Sequence, residues 1–162
     1  MRGRAMLAVA VAVLLGPACG EANQAVSGST GGTVAVTLSD AGCQYEGPSQ
    51  MRAGGLLVHV RNQTTDRVWL GLTPIKAGHT YADLVAYLDQ ERARELEKKP
   101  PLGPPDWGVP TSTMTRPESG PLDLDWAVSA GNYAFACGRH GTDAAGADLE
   151  LGVWAAGPFL VT

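Results

Sequence analysis

The sequence predicts an all-β protein, an antiparallel Greek-key sandwich with one inserted amphipathic α-helix. Two observations predict it. From Thr33 onward apolar residues recur mostly at every second position in short runs, separated by Gly, Pro, Asn and Asp clusters, which is the signature of half-buried strands. One segment, Tyr81 to roughly Lys98, changes to a helical period and is bracketed by Thr80 and by Pro100-Pro101.

The strands follow in order. Val34, Val36 and Leu38 alternate with smaller or polar residues, and Asp40-Ala41-Gly42 turns the chain into Cys43 and Tyr45. Gly54-Gly55 opens a run in which Leu56, Val58 and Val60 take one face and Leu57, His59 and Arg61 the other. After a polar turn, Asn62 to Asp66, come Val68, Leu70 and Leu72. Thr80 and Asp83 mark the helix start, because the hydroxyl accepts from a free N–H and the carboxylate sits at the positive end of the helix dipole. Leu84, Val85, Leu88 and Leu96 fall largely on the face to be buried, and Glu95 to Lys99 is a spacing that supports the exposed side. A proline-rich loop runs to Pro110. Leu122, Leu124 and Trp126 then alternate with Asp123 and Asp125, followed by Tyr133, Phe135 and Cys137, by Leu149, Leu151 and Val153, and by Phe159 and Val161.

The first 32 residues read differently. Met1-Arg2-Gly3-Arg4 is basic, Ala5 to Leu15 is apolar, and Gly16-Pro17-Ala18 places small residues directly before Cys19. This resembles a bacterial lipoprotein signal, which implies that residues 1–18 are removed and that Cys19 is acylated, anchoring the chain on the outer side of a membrane. Cleavage a few residues later, near Ala22, would instead release a secreted protein. The apolar run is shorter than the roughly 20 residues a membrane-spanning helix needs. Residues 19–32, rich in Gly, Ser, Ala and Asn, read as a flexible tether, and Gly28-Ser29-Thr30-Gly31-Gly32 lacks the Lys-Ser/Thr of a phosphate loop. Residues 33–162 form one domain. Loss of Arg2 and Arg4 with the leader leaves ten basic residues against sixteen acidic, a net charge of −6 that speaks against a nucleic-acid partner.

With Cys19 assigned to lipid, Cys43 and Cys137 remain, and in an oxidising compartment they are expected to pair. Several phrases resemble bacterial exported cupredoxin-like (plastocyanin/azurin-like) domains: Asp40-Ala41-Gly42-Cys43-Gln44-Tyr45, a strand ending at Asn62, His79-Thr80-Tyr81-Ala82-Asp83-Leu84, Pro104-Pro105-Asp106-Trp107, and Gly131-Asn132-Tyr133 leading to Cys137 and His140. The resemblance implies a strand ending in Cys137, then a tight loop carrying His140, as in a blue-copper corner. A type 1 centre needs two imidazoles, a thiolate and a weak axial Met. Val68 stands where the upstream His belongs, and no Met follows Met114. The expectation is therefore a fold without copper, the alternative being a copper carrier or electron-transfer protein using Cys137 and His140.

The other histidines read as surface or loop residues: His59 outward beside Arg61, His79 ahead of the helix, His140 in an exposed loop. His79 and His140 would make a metal site only if their loops converge. Gly-x-Ser-x-Gly and His-Glu-x-x-His are absent from the sequence, and Asp123 with Asp125 reads as a solvent face rather than a catalytic pair. An enzyme is not expected. Trp107, between Pro105 and Pro110, reads as an exposed, rigid contact for a protein or small-molecule partner.

Overall fold

The computed structural model describes residues 30–110, 112–116, 120–142, 146 and 148–162. The leader, Cys19 and all of the tether before Thr30 lie outside the described residues. Those described form a two-sheet β-sandwich with one helix: β1 (Thr30–Ser39), β2 (Gly42–Glu46), β3 (Gln50–Met51), β4 (Gly54–Asn62), β5 (Arg67–Ile75), α1 (Tyr81–Leu96), β6 (Ser112–Arg116), β7 (Gly120–Val128), β8 (Gly131–Thr142) and β9 (Asp148–Val161). Residues 30–32, assigned to the tether from sequence, are the start of β1, where Thr30 and Gly32 pair with Gly55 and Leu56.

One sheet has the order β2-β1-β4-β7 and the other β3-β9-β8-β5-β6. The sandwich is not wholly antiparallel as expected: β1 lies parallel to β4, and β3 parallel to β9. The chain leaves β1 through a tight hairpin into β2, crosses to the other sheet as β3, and returns as β4 beside β1, so the two strands run the same way. Gly42, at φ +129, makes the tight hairpin possible.

The alternation read from sequence builds the central core. Val34, Val36, Leu38, Leu56, Val58 and Val60 from one sheet meet Val68, Leu70, Leu72, Phe135, Phe159 and Val161 from the other, all buried. Phe135 is fully enclosed, with the rings of Tyr45, Trp126 and Phe159 tilted against it. The disulfide Cys43–Cys137 crosses this core, tying residues 94 apart at a Cα separation of 6.7 Å.

A second, smaller core lies outside the sandwich. Helix α1 starts with the expected capping box between Thr80 and Asp83, which holds the Asp83 carboxyl below its usual range, chiefly through hydrogen bonds from Thr80. Its Leu84 and Leu88 pack with Ile75, Ala134, Ala136 and Val153 on the outer face of the second sheet. Leu96, placed on the buried face from sequence, is 80% exposed. It lies well around the helix from Leu88, in the last turn, where the apolar stripe has drifted off the contact. Lys98 then adopts a left-handed conformation, φ 55, and the N–H of Lys99 bonds the carbonyl of Arg94, closing the helix before Pro100. Lys99 pairs with Glu97 at 2.5 Å rather than with Glu95. No helix among the described residues is long and apolar enough to cross a membrane.

Candidate functional site

The cysteine-histidine corner takes a form other than the one expected. Strand β8 does not end at Cys137 but runs to Thr142, so Cys137 sits in mid-strand opposite Leu70 and Trp154. His140 is on the strand, half-buried and paired with Arg67, not in an exposed loop. Cys137 belongs to the inner face, whereas His140 lies three residues on, among the residues of the outer face. Val68 is buried in the central core. With its sulfur bonded to Cys43, Cys137 offers no thiolate, and these residues do not fit a type 1 copper centre.

What occupies this corner is a largely covered cation. Arg139, with a side chain only 13% exposed, contacts Asp40 from the β1–β2 turn, places Nε 3.5 Å from Asp66 Oδ2, and lies 5.9 Å from the centre of the Trp154 ring. Asp66 is held by its own loop: Asn62 Oδ1 accepts from the Thr64 N–H and hydroxyl, and Thr64 Oγ1 accepts from the Asp66 N–H.

The histidines do not converge. Strands β5 and β8 pair from Arg67↔His140 at one end to Ile75↔Asn132 at the other. His79 follows the second end, so roughly 26 Å of strand separates the two imidazoles. Among the described residues, no group of three or more His, Cys, Asp or Glu is placed to hold a metal ion. His59, read as an outward residue, is engaged: its Nδ1 lies 2.6 Å from Asp123 Oδ1 on the adjacent strand. Asp123 and Asp125 are both exposed, on the outer face of β7. Trp107 is half-buried rather than exposed. Its ring stacks on His79 at 4.5 Å with an interplanar angle of 7°, and its carbonyl accepts from the Lys76 N–H.

The structure assembles a site that sequence reasoning missed. Between α1, the outer face of β5, β8 and β9, and the proline-rich loop lies a mainly apolar cleft of about 380 Å³, within the range of small-molecule sites. Its floor is Ala136 and Val153, its wall Leu84, Leu88 and Tyr87, and its roof Pro104 and Pro105. The roof is tied to the helix. Glu91 Oε1 accepts from the Leu102 N–H at 2.7 Å, Tyr87 Oη lies 2.9 Å from the Gly103 carbonyl, and Arg94 Nε donates to the Pro100 carbonyl at 2.7 Å.

The polar end carries Trp69 and Glu150. The Trp69 indole Nε1 donates to Glu150 Oε1 at 3.3 Å, and the Glu150 backbone N–H donates to Glu95 Oε1 at 3.1 Å. Burial, and then a hydrogen bond and negative charge from Glu95, push the Glu150 carboxyl up to about 7, against the opposing bond from Trp69. Burial and the neighbouring Glu91 push the Tyr87 hydroxyl up to about 12. Gly138 makes this end possible, since a Cβ there would come within 2.3 Å of Trp69 Nε1 and 3.0 Å of Glu150 Oε1.

Glu150 faces the cleft because of a bulge. Arg139 pairs with Gly152 but His140 with Glu150, so Leu151 is an extra residue on β9. The bulge brings Glu150 and Val153 to one face and leaves Leu149 and Leu151 at 42% and 41% exposure, the reverse of the burial expected for those leucines. The signal available in the sequence was the small-residue series Ala134, Ala136, Gly138 on alternate positions of β8.

No family model matches the chain, and no curated protein matches it. Among solved structures, the chain is similar to a sodium-dithionite-reduced auracyanin from the photosynthetic bacterium Roseiflexus castenholzii: 16% identity over 82% of this chain and 98% of that one, TM-score 0.39. It is also similar to a multicopper oxidase: 14% identity over 80% of this chain and 43% of that one, TM-score 0.35. At these scores neither likeness says anything about metal or activity here.

Proposed function

We propose that the chain is a non-catalytic binding module of a bacterial envelope, held to the outer side of a membrane by lipid on Cys19 and working through the cleft beneath the proline-rich loop. The observation that carries this reading is the cleft itself, an apolar space whose roof is fastened to the helix, so that the binding geometry exists before a ligand arrives. The leader and the Cys43–Cys137 disulfide support an oxidising, extracytoplasmic setting. His79 and Trp107 stack beside the roof and contribute its rigidity, with the exposed part of the indole available to a partner.

The test is binding of the neutral fluorescent probe N-phenylnaphthylamine to the intact chain. Ala136→Leu, which fills the floor, is expected to abolish the signal while the circular dichroism spectrum is unchanged. Equal probe binding by both proteins would sink the reading. Anchoring is tested separately by palmitate labelling, which Cys19→Ala is expected to eliminate.

A further inference from the structure

Resting on that reading, we infer that the cleft's ligand is a small hydrophobic cation, an alkyl- or arylammonium whose apolar body lies against Ala136, Val153 and the prolines and whose charge sits between Trp69, Tyr87 and the carboxylates of Glu150 and Glu91.

Three observations point to this class. Two carboxylates, Glu91 and Glu150, line the apolar cleft, and Glu95 adjoins Glu150 at the depression next to it. The bases around this end are outnumbered or engaged elsewhere: Arg92 contacts Asp89 at 3.4 Å, Lys99 pairs with Glu97, and Lys98 alone stands against the three acids. Two aromatics, Trp69 and Tyr87, are in the lining, the residue class to whose rings an ammonium is attracted in a partly dry site. An anionic ligand would meet like charge, and a neutral one would leave three acids with Lys98 as their one unengaged neighbouring base among the lining residues.

Proton linkage follows from the same arrangement. Glu150 faces Glu91, Arg92 and Glu95 from the helix, Lys98 and Lys99 from the segment after it, Trp69 from β5, and His140 as its partner on β8. A cation arriving beside it favours the ionised form, so Glu150 gives up its proton to solvent as the ligand binds. Near pH 7 binding should release a fraction of a proton, and above pH 8 almost none.

The experiment titrates the intact chain with phenethylammonium, phenethyl alcohol and phenylpropionate. Calorimetry in two buffers of different ionisation enthalpy reports proton release, and the indole N–H resonance of Trp69 reports occupancy. The ammonium is expected to bind about tenfold more tightly than the alcohol, with the propionate weakest. Glu150→Gln is expected to remove the proton release and bring the ammonium-to-alcohol ratio to within about twofold. If alcohol and ammonium bind equally, or propionate binds best, the charge assignment is overturned while the binding-module reading stands. If none of the three moves the Trp69 resonance, the cleft is not a binding site and both readings fail.

Discussion

The two faces of strand β8 solve opposite problems with the same backbone. Inward it presents Tyr133, Phe135 and Cys137, which fill the space between the sheets and leave it closed. Outward it presents Ala134, Ala136 and Gly138, too small to fill anything, over which a helix and a proline-rich loop are laid without complete contact. The closed side is made by large side chains and the open side by small ones. In this protein the site is a consequence of what alternate residues lack.

That contrast can be broken from the closed side first. Replacing Cys43 and Cys137 together by Ala is expected to lower stability by roughly 4 to 5 kcal/mol at most, since a loop of this length is released in the unfolded chain. Urea denaturation measures it. Phe135→Ala should cost about 4 kcal/mol by leaving a cavity among the rings that surround it, read as a lower denaturation midpoint with no change in the environment of Trp69.

The open side is expected to respond more weakly and in another direction. Gly138→Ala adds one methyl where the indole and Glu150 already meet, so a loss of about 2 kcal/mol is expected, together with a shifted Trp69 indole resonance. A stability unchanged by this substitution would mean that the two side chains do not share that space.

The smallest effect is a pH dependence. Glu150 binds its proton more tightly folded than unfolded, so between its ordinary range and about 7 the native state holds more protons than the unfolded one. Stability contributed at this site is therefore highest below that window and falls as pH rises through it. Glu150→Gln removes the dependence. A gain of about 1 kcal/mol at pH 8 and none at pH 4 is expected, a figure reduced for the group's partial exposure to solvent. Paired denaturation curves at the two pH values check it.

Local chemistry was legible in advance, and geometry that depends on distant partners was not. Thr80 and Asp83 are three residues apart, so the helix start could be read from the chain alone. The alternation of Leu122, Leu124 and Trp126 placed Asp123 and Asp125 outward, as observed. The pairing of Cys43 with Cys137 followed from counting cysteines once Cys19 was set aside. The direction of β1 relative to β4 is decided by how the chain crosses between sheets, which alternation does not encode. The bulge at Leu151 reverses which residues of β9 face the helix, and it exists only in the pairing of β9 with β8. Trp107 could not be placed without His79, which lies 28 positions earlier in the chain and stacks on it.

The entry point of β1 gives the domain a top and a bottom. Thr30 lies opposite Gly55, and that end of the sandwich is where β5 finishes at Ile75 and leads to the His79–Trp107 stack. Helix α1 sets out there and travels toward Glu150, beside the opposite end, where β8 meets Arg67. The stacked rings and the carboxylate end of the cleft therefore lie toward opposite poles of the domain, the rings on the side where β1 begins.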